Sequence, residues 1–190
     1  MSAAPAERLF FALWPSEAER ARMVEAAARL APDERSRRVP PEEYHLTIAF
    51  VGEVAAARIE AVRRIGATSA GARCTVRFDA YEYWPKPEVV VAAARTAPPA
   101  LERLWRELHE RLAAQGLALD PKRLRPHVTL LRGVRDAPPL RCAEAMIASV
   151  SVVLPEDSGP KISMIRPRGI PPTPSAMSRP SEPVGIVSTS

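Results

Sequence analysis

Two periodicities take turns along this chain. Short apolar runs that suit extended strands alternate with longer stretches in which hydrophobic residues recur at helical spacing. Arg8-Leu-Phe-Phe-Ala-Leu-Trp14, stopped by Pro15, predicts a buried strand. Ser16-Glu17-Ala18-Glu19 fits a capping box, in which hydroxyl and carboxylate satisfy each other's backbone amides, and a helix is predicted to about Leu30. Residues 32–41 are bounded by prolines, carry Arg35, Arg37 and Arg38, and read as a loop. Tyr44 to Val51 alternates cleanly, with Tyr44, Leu46, Ile48 and Phe50 on one face and His45, Thr47, Ala49 and Val51 on the other. Val54, Ile59, Val62 and Ile65 are spaced for an amphipathic helix over 54–70. Strands over 75–84 and 89–94 turn at Pro85-Lys-Pro87. A helix over 98–115 has proline in its first turn and Gly116 just past its end. A strand from His127 to Arg132, closed by Gly133, precedes a short helix over 139–148 and a strand over 149–154.

This order is an α+β pattern made of two similar halves. Each half has a His-x-Thr strand that follows a strand–helix unit and precedes another helix, and the two histidines stand 82 positions apart. A duplication of that kind places the two strands in equivalent positions about a pseudo-twofold axis. From Pro155 the character changes: the remaining 36 residues hold eight Pro and seven Ser, and no aromatic residue follows Trp105. Domain boundaries are therefore expected at 1–154 for the folded unit and 155–190 for a tail without a fold of its own, leaving an uncovered strand edge in the half that bears His127.

Composition narrows the class. With 190 residues, 46% hydrophobic and 26% charged, the chain is globular and long enough for one substantial core. The net charge of +5 is compatible with phosphate-bearing partners without demanding them. Cys74 and Cys142 lack metal-type spacing and are expected to be buried thiols. The run Leu9–Trp14 is too short for a signal-peptide core, and no apolar stretch reaches membrane-spanning length, so a cytoplasmic monomer is the expectation.

The chemistry lies in the histidines. The chain has three, and two of them open the same pattern, His45-Leu-Thr-Ile and His127-Val-Thr-Leu. One such tetrapeptide means little, but its recurrence in matching contexts is specific. On a strand, residues i and i+2 share a face about 6–7 Å apart, so each motif presents an imidazole and a hydroxyl together. Two strands side by side then converge two imidazoles and two hydroxyls on one anionic site. Imidazole titrates near neutrality, so one ring can hold a proton while the other accepts one. That pair suffices to open a cyclic phosphate, and the Thr47 and Thr129 hydroxyls can donate to the non-bridging oxygens. Taken singly, a histidine on an apolar strand is ordinary core and its threonine ordinary β-propensity. His109, on the Trp105–Arg111 helix, has no such partner and reads as a packing residue. Two histidines are too few for a zinc site, and neither metal nor cofactor is expected. Arg125 and Arg132 flank the second motif, each either a phosphate ligand or a solvated charge.

These segments carry a resemblance. Arg8-Leu-Phe-Phe-Ala-Leu13, Val39-Pro-Pro-Glu-Glu-Tyr-His-Leu-Thr-Ile-Ala-Phe-Val-Gly-Glu53 and Arg125-Pro-His-Val-Thr-Leu-Leu-Arg132 resemble the two-histidine (2H) phosphoesterase superfamily. Within it the chain is similar to the bacterial RNA 2′,3′-cyclic phosphodiesterases, also called 2′-5′ RNA ligases, over about 150 residues. The resemblance implies two pseudo-symmetric antiparallel lobes with outer helices and a central cleft. It implies hydrolysis of RNA 2′,3′-cyclic phosphate ends to 2′-phosphates, in some members with ATP-independent joining of RNA ends. His45 would then be the proton donor and His127 the acceptor, with Thr47, Thr129 and Arg132 on the phosphate. Another cyclic phosphate, such as ADP-ribose 1″,2″-cyclic phosphate, or a non-catalytic RNA- or nucleotide-binding module remain alternatives. Relatives close the second lobe with further strand material, where this chain has its Pro- and Ser-rich tail.

Overall fold

A computed structural model describes residues 6–30, 34–69, 72, 74–117, 119, 123–136 and, for the backbone, 161–165 and 187–188. The predicted helix over 139–148 and strand over 149–154 lie outside the described residues, as does Cys142.

The first apolar run forms strand β1 (Ala6–Leu13), and the capping box forms as predicted at the head of helix α1 (Glu17–Ala28). Ser16 Oγ accepts from the Glu19 amide while the Glu19 carboxylate takes the Ser16 amide at 2.7 Å. The expected loop 32–41 contains and leads into regular structure that its prolines did not suggest. Arg37–Arg38 is a short strand, β2, and Pro41–Glu43 a 3-10 turn. No basic residue stands in the last turn of α1, and the Arg38 guanidinium supplies the missing cation by donating to the Ala27 carbonyl and, at 2.8 Å, to that of Leu30.

Strand β3 (Leu46–Ala55) leads into α2 (Ala56–Thr68), the hairpin β4 (Ala80–Trp84) and β5 (Val89–Ala93), α3 (Pro99–Ala114) and β6 (His127–Arg132). Residues 75–79, expected in the first hairpin strand, are not part of it, although Val76 and Phe78 are buried. On α3, Leu101, Leu104, Leu108 and Leu112 form the inward stripe, each contributing about 1.5–3 kcal/mol by burial. With Leu9, Phe11, Leu46, Leu130 and Leu131 they belong to one core that runs beneath both halves. Cys74 is half-buried against that core, where a buried thiol was expected.

The described strands, with β7 (Lys161–Ile165) and β8 (Val187–Ser188), lie in the order β4-β5-β6-β3-β1-β7-β8, with β2 on β6. Every pairing is antiparallel except β7 with β8. The fold is thus α+β, with two lobes: β1 and β3 on one side, β5 and β6 on the other. The lobes meet where β3 touches β6, at the residue pair Leu46–Val128. Of the expected tail, two segments are described. Both are strands, and β7 pairs with β1, in the lobe that carries His45 rather than the one that carries His127. The rest of 155–190 lies outside the described residues. Among the described residues no helix is long and apolar enough to cross a membrane.

Simple alternation fails at one point that matters. Along β3, Thr47 pairs with Ala12 but Ala49 pairs with Phe11, so Ile48 is an extra residue, a β-bulge. Beyond it the faces exchange: Ile48 and Ala49 are both buried, and Phe50 is 43% exposed. The expectation that Phe50 shares the buried face with Leu46 is therefore corrected. β6 repeats the device. Thr129 pairs with Val91 and Leu131 with Val90, leaving Leu130 as the extra residue.

Candidate active site

The seam between the lobes gathers the predicted residues. Leu46 and Val128 face each other in an antiparallel pair, so the register sets His45 level with Thr129 and Thr47 level with His127. All four are half-buried, and neither threonine hydroxyl has a hydrogen-bond partner among the described residues. The bulge at Leu130 brings a fifth group to the same face. Arg132 pairs with Val89, and Val89, Val91 and Ala93 form a separate apolar patch with Trp84, on the side of β5 away from the main core. Val91 and Ala93 are the partners of Thr129 and His127, so Arg132 stands in line with both. Its charge reaches His45, whose pKa it helps to lower. By the repeat distance, the position that corresponds to Arg132 in the first lobe is Phe50, on the same side of its own bulge and opposite Phe10.

Each imidazole is held in the same way. His45 Nδ1 lies 2.7 Å from the Glu43 carbonyl oxygen and His127 Nδ1 lies 2.7 Å from that of Arg125, in both cases two residues upstream. A carbonyl only accepts, so Nδ1 carries the hydrogen in both rings and donates it. Nε2, which has no partner among the described residues, is then the nitrogen left free in both rings. A tryptophan packs on each ring: Trp14 on His45, 5.8 Å between centroids and stacked, and Trp84 on His127 at 4.5 Å. Phe10 adds a second aromatic neighbour to His45 at 5.1 Å. Sequence reasoning passed over both tryptophans. A signal existed, for Trp14-Pro15 and Trp84-Pro85 are the same dipeptide, with proline ending a strand just beyond the ring.

Burial holds both imidazoles below their ordinary value of 6.5. For His45 the positive charges of Arg132 and His127 act in the same direction, against the carbonyl and carboxylate of Glu43. For His127, Arg125 lowers and Glu82 raises, along with the Arg125 carbonyl. Arg125 itself is engaged, 2.6 Å from the Glu82 carboxylate and 5.1 Å over the Trp84 ring, so it builds the wall of the site. Trp84 is fixed in turn by its indole N–H, which donates to Glu82 at 2.7 Å. His109 stands apart on α3, its ring against Trp105 and its Nδ1 on the Trp105 carbonyl. Among the described residues no group of three or more His, Cys, Asp or Glu is placed to hold a metal ion.

Two imidazoles with free Nε2 atoms, two unengaged hydroxyls and one arginine therefore share a single face. Known proteins resemble the chain in sequence and in fold. Residues 12–156 match the family model of the 2'-5' RNA ligase superfamily. The chain is 30% identical to the RNA 2',3'-cyclic phosphodiesterase of Escherichia coli over 131 residues, 69% of this chain and 74% of that one. It is 29% identical to the protein of the same name from Thermus thermophilus over 140 residues, 69% of this chain and 71% of the relative. Among solved structures, a phosphoesterase superposes with a TM-score of 0.69 at 25% identity, covering 87% of this chain and 92% of the other. E. coli LigT complexed with 3'-AMP gives 0.66 at 25% identity, over 84% of this chain and 87% of LigT. The chain belongs to the 2'-5' RNA ligase superfamily, a family of enzymes.

Proposed function

We propose that this protein hydrolyses RNA 2′,3′-cyclic phosphate ends to 2′-phosphomonoesters, with His45 and His127 as a paired acid and base. The observation that carries the reading is the matched frame of the two rings, each with Nδ1 bound to the carbonyl two residues upstream and Nε2 unengaged. A neutral ring in that frame has its lone pair on Nε2 and is a base; a protonated one has an N–H there and is an acid. The same geometry serves both roles, and the proton decides which.

His127 takes the base role. Its Nε2 accepts a proton from water as the water oxygen attacks phosphorus. The bond from phosphorus to the ribose 3′ oxygen breaks, and His45 Nε2–H gives its proton to that oxygen. Thr47, Thr129 and Arg132 hold the non-bridging oxygens, whose charge grows in the transition state. The chemistry is complete with these side chains. Burial biases both rings toward the neutral form, and a bound phosphate anion restores a proton to His45 by raising its pKa. The curated relatives named RNA 2',3'-cyclic phosphodiesterase support this substrate over other cyclic phosphates.

Incubation of the protein with a 2′,3′-cyclic nucleotide and with a cyclic-phosphate-ended RNA, in the presence of EDTA, tests the proposal. A 2′-phosphate product formed at an undiminished rate is the expected result. A 3′-phosphate product, or a rate abolished by the chelator, would overturn it.

A further inference from the structure

Beside the cleft, on the second lobe, lies a groove of about 740 Å³, the size that takes a ligand of nucleotide dimensions. Its floor is built where the end of β5 meets the segment before β6, joined by the Ala94 amide donating to the Pro126 carbonyl at 2.9 Å. Arg95, Arg106 and Arg123 line it together with Arg125, and all four are exposed. Two carboxylates share the lining. Glu82 is taken by Arg125, and among the described residues neither Glu102 nor any other carboxylate pairs with the guanidinium of Arg95, Arg106 or Arg123. Trp105 gives the groove an aromatic wall, held from behind by His109 at 4.4 Å. The groove borders the cleft: Glu82 and Arg125 line it and also stand beside His127 as the wall of the site.

Unpaired arginines along a channel, with an aromatic ring among them, are what a single-stranded nucleic acid requires: cations for successive phosphates and a flat surface for a base. We infer that this groove holds the sugar–phosphate backbone of a single-stranded RNA whose cyclic end occupies the cleft, so that a polynucleotide is turned over more efficiently than a mononucleotide. The inference rests on the proposed reaction and adds to it a direction, with the strand leaving the cleft past His127 toward the head of α3. It also gives His109 a task, the support of Trp105.

The test compares a cyclic-phosphate-ended tetranucleotide with a 2′,3′-cyclic mononucleotide. The ratio of their kcat/KM values should fall about tenfold or more in the double variant Arg106→Glu, Arg123→Glu. The logarithm of kcat/KM for the tetranucleotide should also fall more steeply with the logarithm of salt concentration, by about 2 for three phosphates contacted, and the variant should lose most of that excess. An unchanged ratio with unchanged salt slopes, in a variant whose thermal melt matches the parent, overturns the inference. Failure to turn over either substrate would count against the reaction alone. Fluorescence anisotropy with a single-stranded RNA ending in an open 2′-phosphate then decides the groove by itself, weaker binding by the variant supporting it and equal binding removing it.

Discussion

His45 and His127 occupy equivalent places in two copies of one frame, and the walls around them differ in kind. His45 sits among aromatic rings, with Phe10 and Trp14 around it and Phe50 exposed further along its strand. His127 also has a tryptophan, but that ring is tied to Glu82 and covered by Arg125, and the position matching Phe50 is Arg132. The rings dominate around His45, with the Arg8 guanidinium 5.5 Å over Phe50 as the nearby charge, whereas around His127 charge and hydrogen bonds dominate. The shared parts are those that any acid–base imidazole needs: an oriented ring, a defined tautomer and a neighbouring hydroxyl. The parts that differ assign the work, since an anion prefers the arginine and a sugar or base prefers the ring.

Several substitutions sharpen or break that contrast. The largest effects fall on what the lobes share: His45→Ala and His127→Ala should each lower kcat on a cyclic phosphate by about 10²-fold or more, while His109→Ala leaves a mononucleotide's turnover near the parent level. Equal residual activity in either motif variant and the parent would end the paired-histidine account. Next come the twin positions. Arg132→Ala should lower kcat about 10²-fold, as loss of a donor to the developing charge does, whereas Phe50→Ala should act mainly on KM and by only about tenfold. Steady-state kinetics that show the two substitutions affecting the same parameter to the same degree would mean the lobes are not specialised.

The pH dependence is a finer probe. Glu82→Gln removes the carboxylate that supports the His127 proton and leaves the opposing Arg125 charge unbalanced, so both changes lower the His127 pKa further. The acid limb of kcat/KM should move to lower pH in this variant, with the limb due to His45 staying in place; a shift to higher pH would contradict the electrostatics described here. The smallest effect is on stability. Both imidazoles have folded pKa values below 6.5, so the unfolded chain binds protons more readily. Their contribution is fully present above about pH 6.5 and is lost as pH falls through the lowered values. Urea denaturation at descending pH should show the midpoint dropping in this window, and the double variant His45→Gln, His127→Gln should flatten that part of the curve.

Much of this was legible in the residues. The capping box at Ser16, the leucine stripe of α3 and the strand His127–Arg132 follow from periodicity and local chemistry, which are short-range signals. The histidine and threonine pairs followed from repetition within the chain. Less accessible was whatever depends on a partner strand. Arg37–Arg38 becomes a strand because β6 offers it an edge, against the loop character of its flanking prolines. Trp14, just past β1, and Trp84, at the end of β4, reach the histidines from segments distant in sequence, and such an approach leaves no trace in a local window. Arg132 is the instructive case. Simple alternation from His127 puts it on the core face, and only an extra residue between Thr129 and Leu131 returns it to the cleft.

That extra residue has a consequence in parity. His127, Thr129 and Arg132 are separated by an even and then an odd number of positions, and no flat strand can show all three on one side. The bulge supplies the half-turn that the odd interval demands, and the first lobe does the same for His45, Thr47 and Phe50. The count of residues is therefore as much a part of the site as their identity. Removing Leu130 alone would make the second interval even, so that a flat strand, with Thr129 still opposite Val91 and Leu131 opposite Val90, would keep Arg132 on the cleft side without a bulge. What that deletion would remove is a buried side chain, because the bulge lets two successive residues, Leu130 and Leu131, both face the interior.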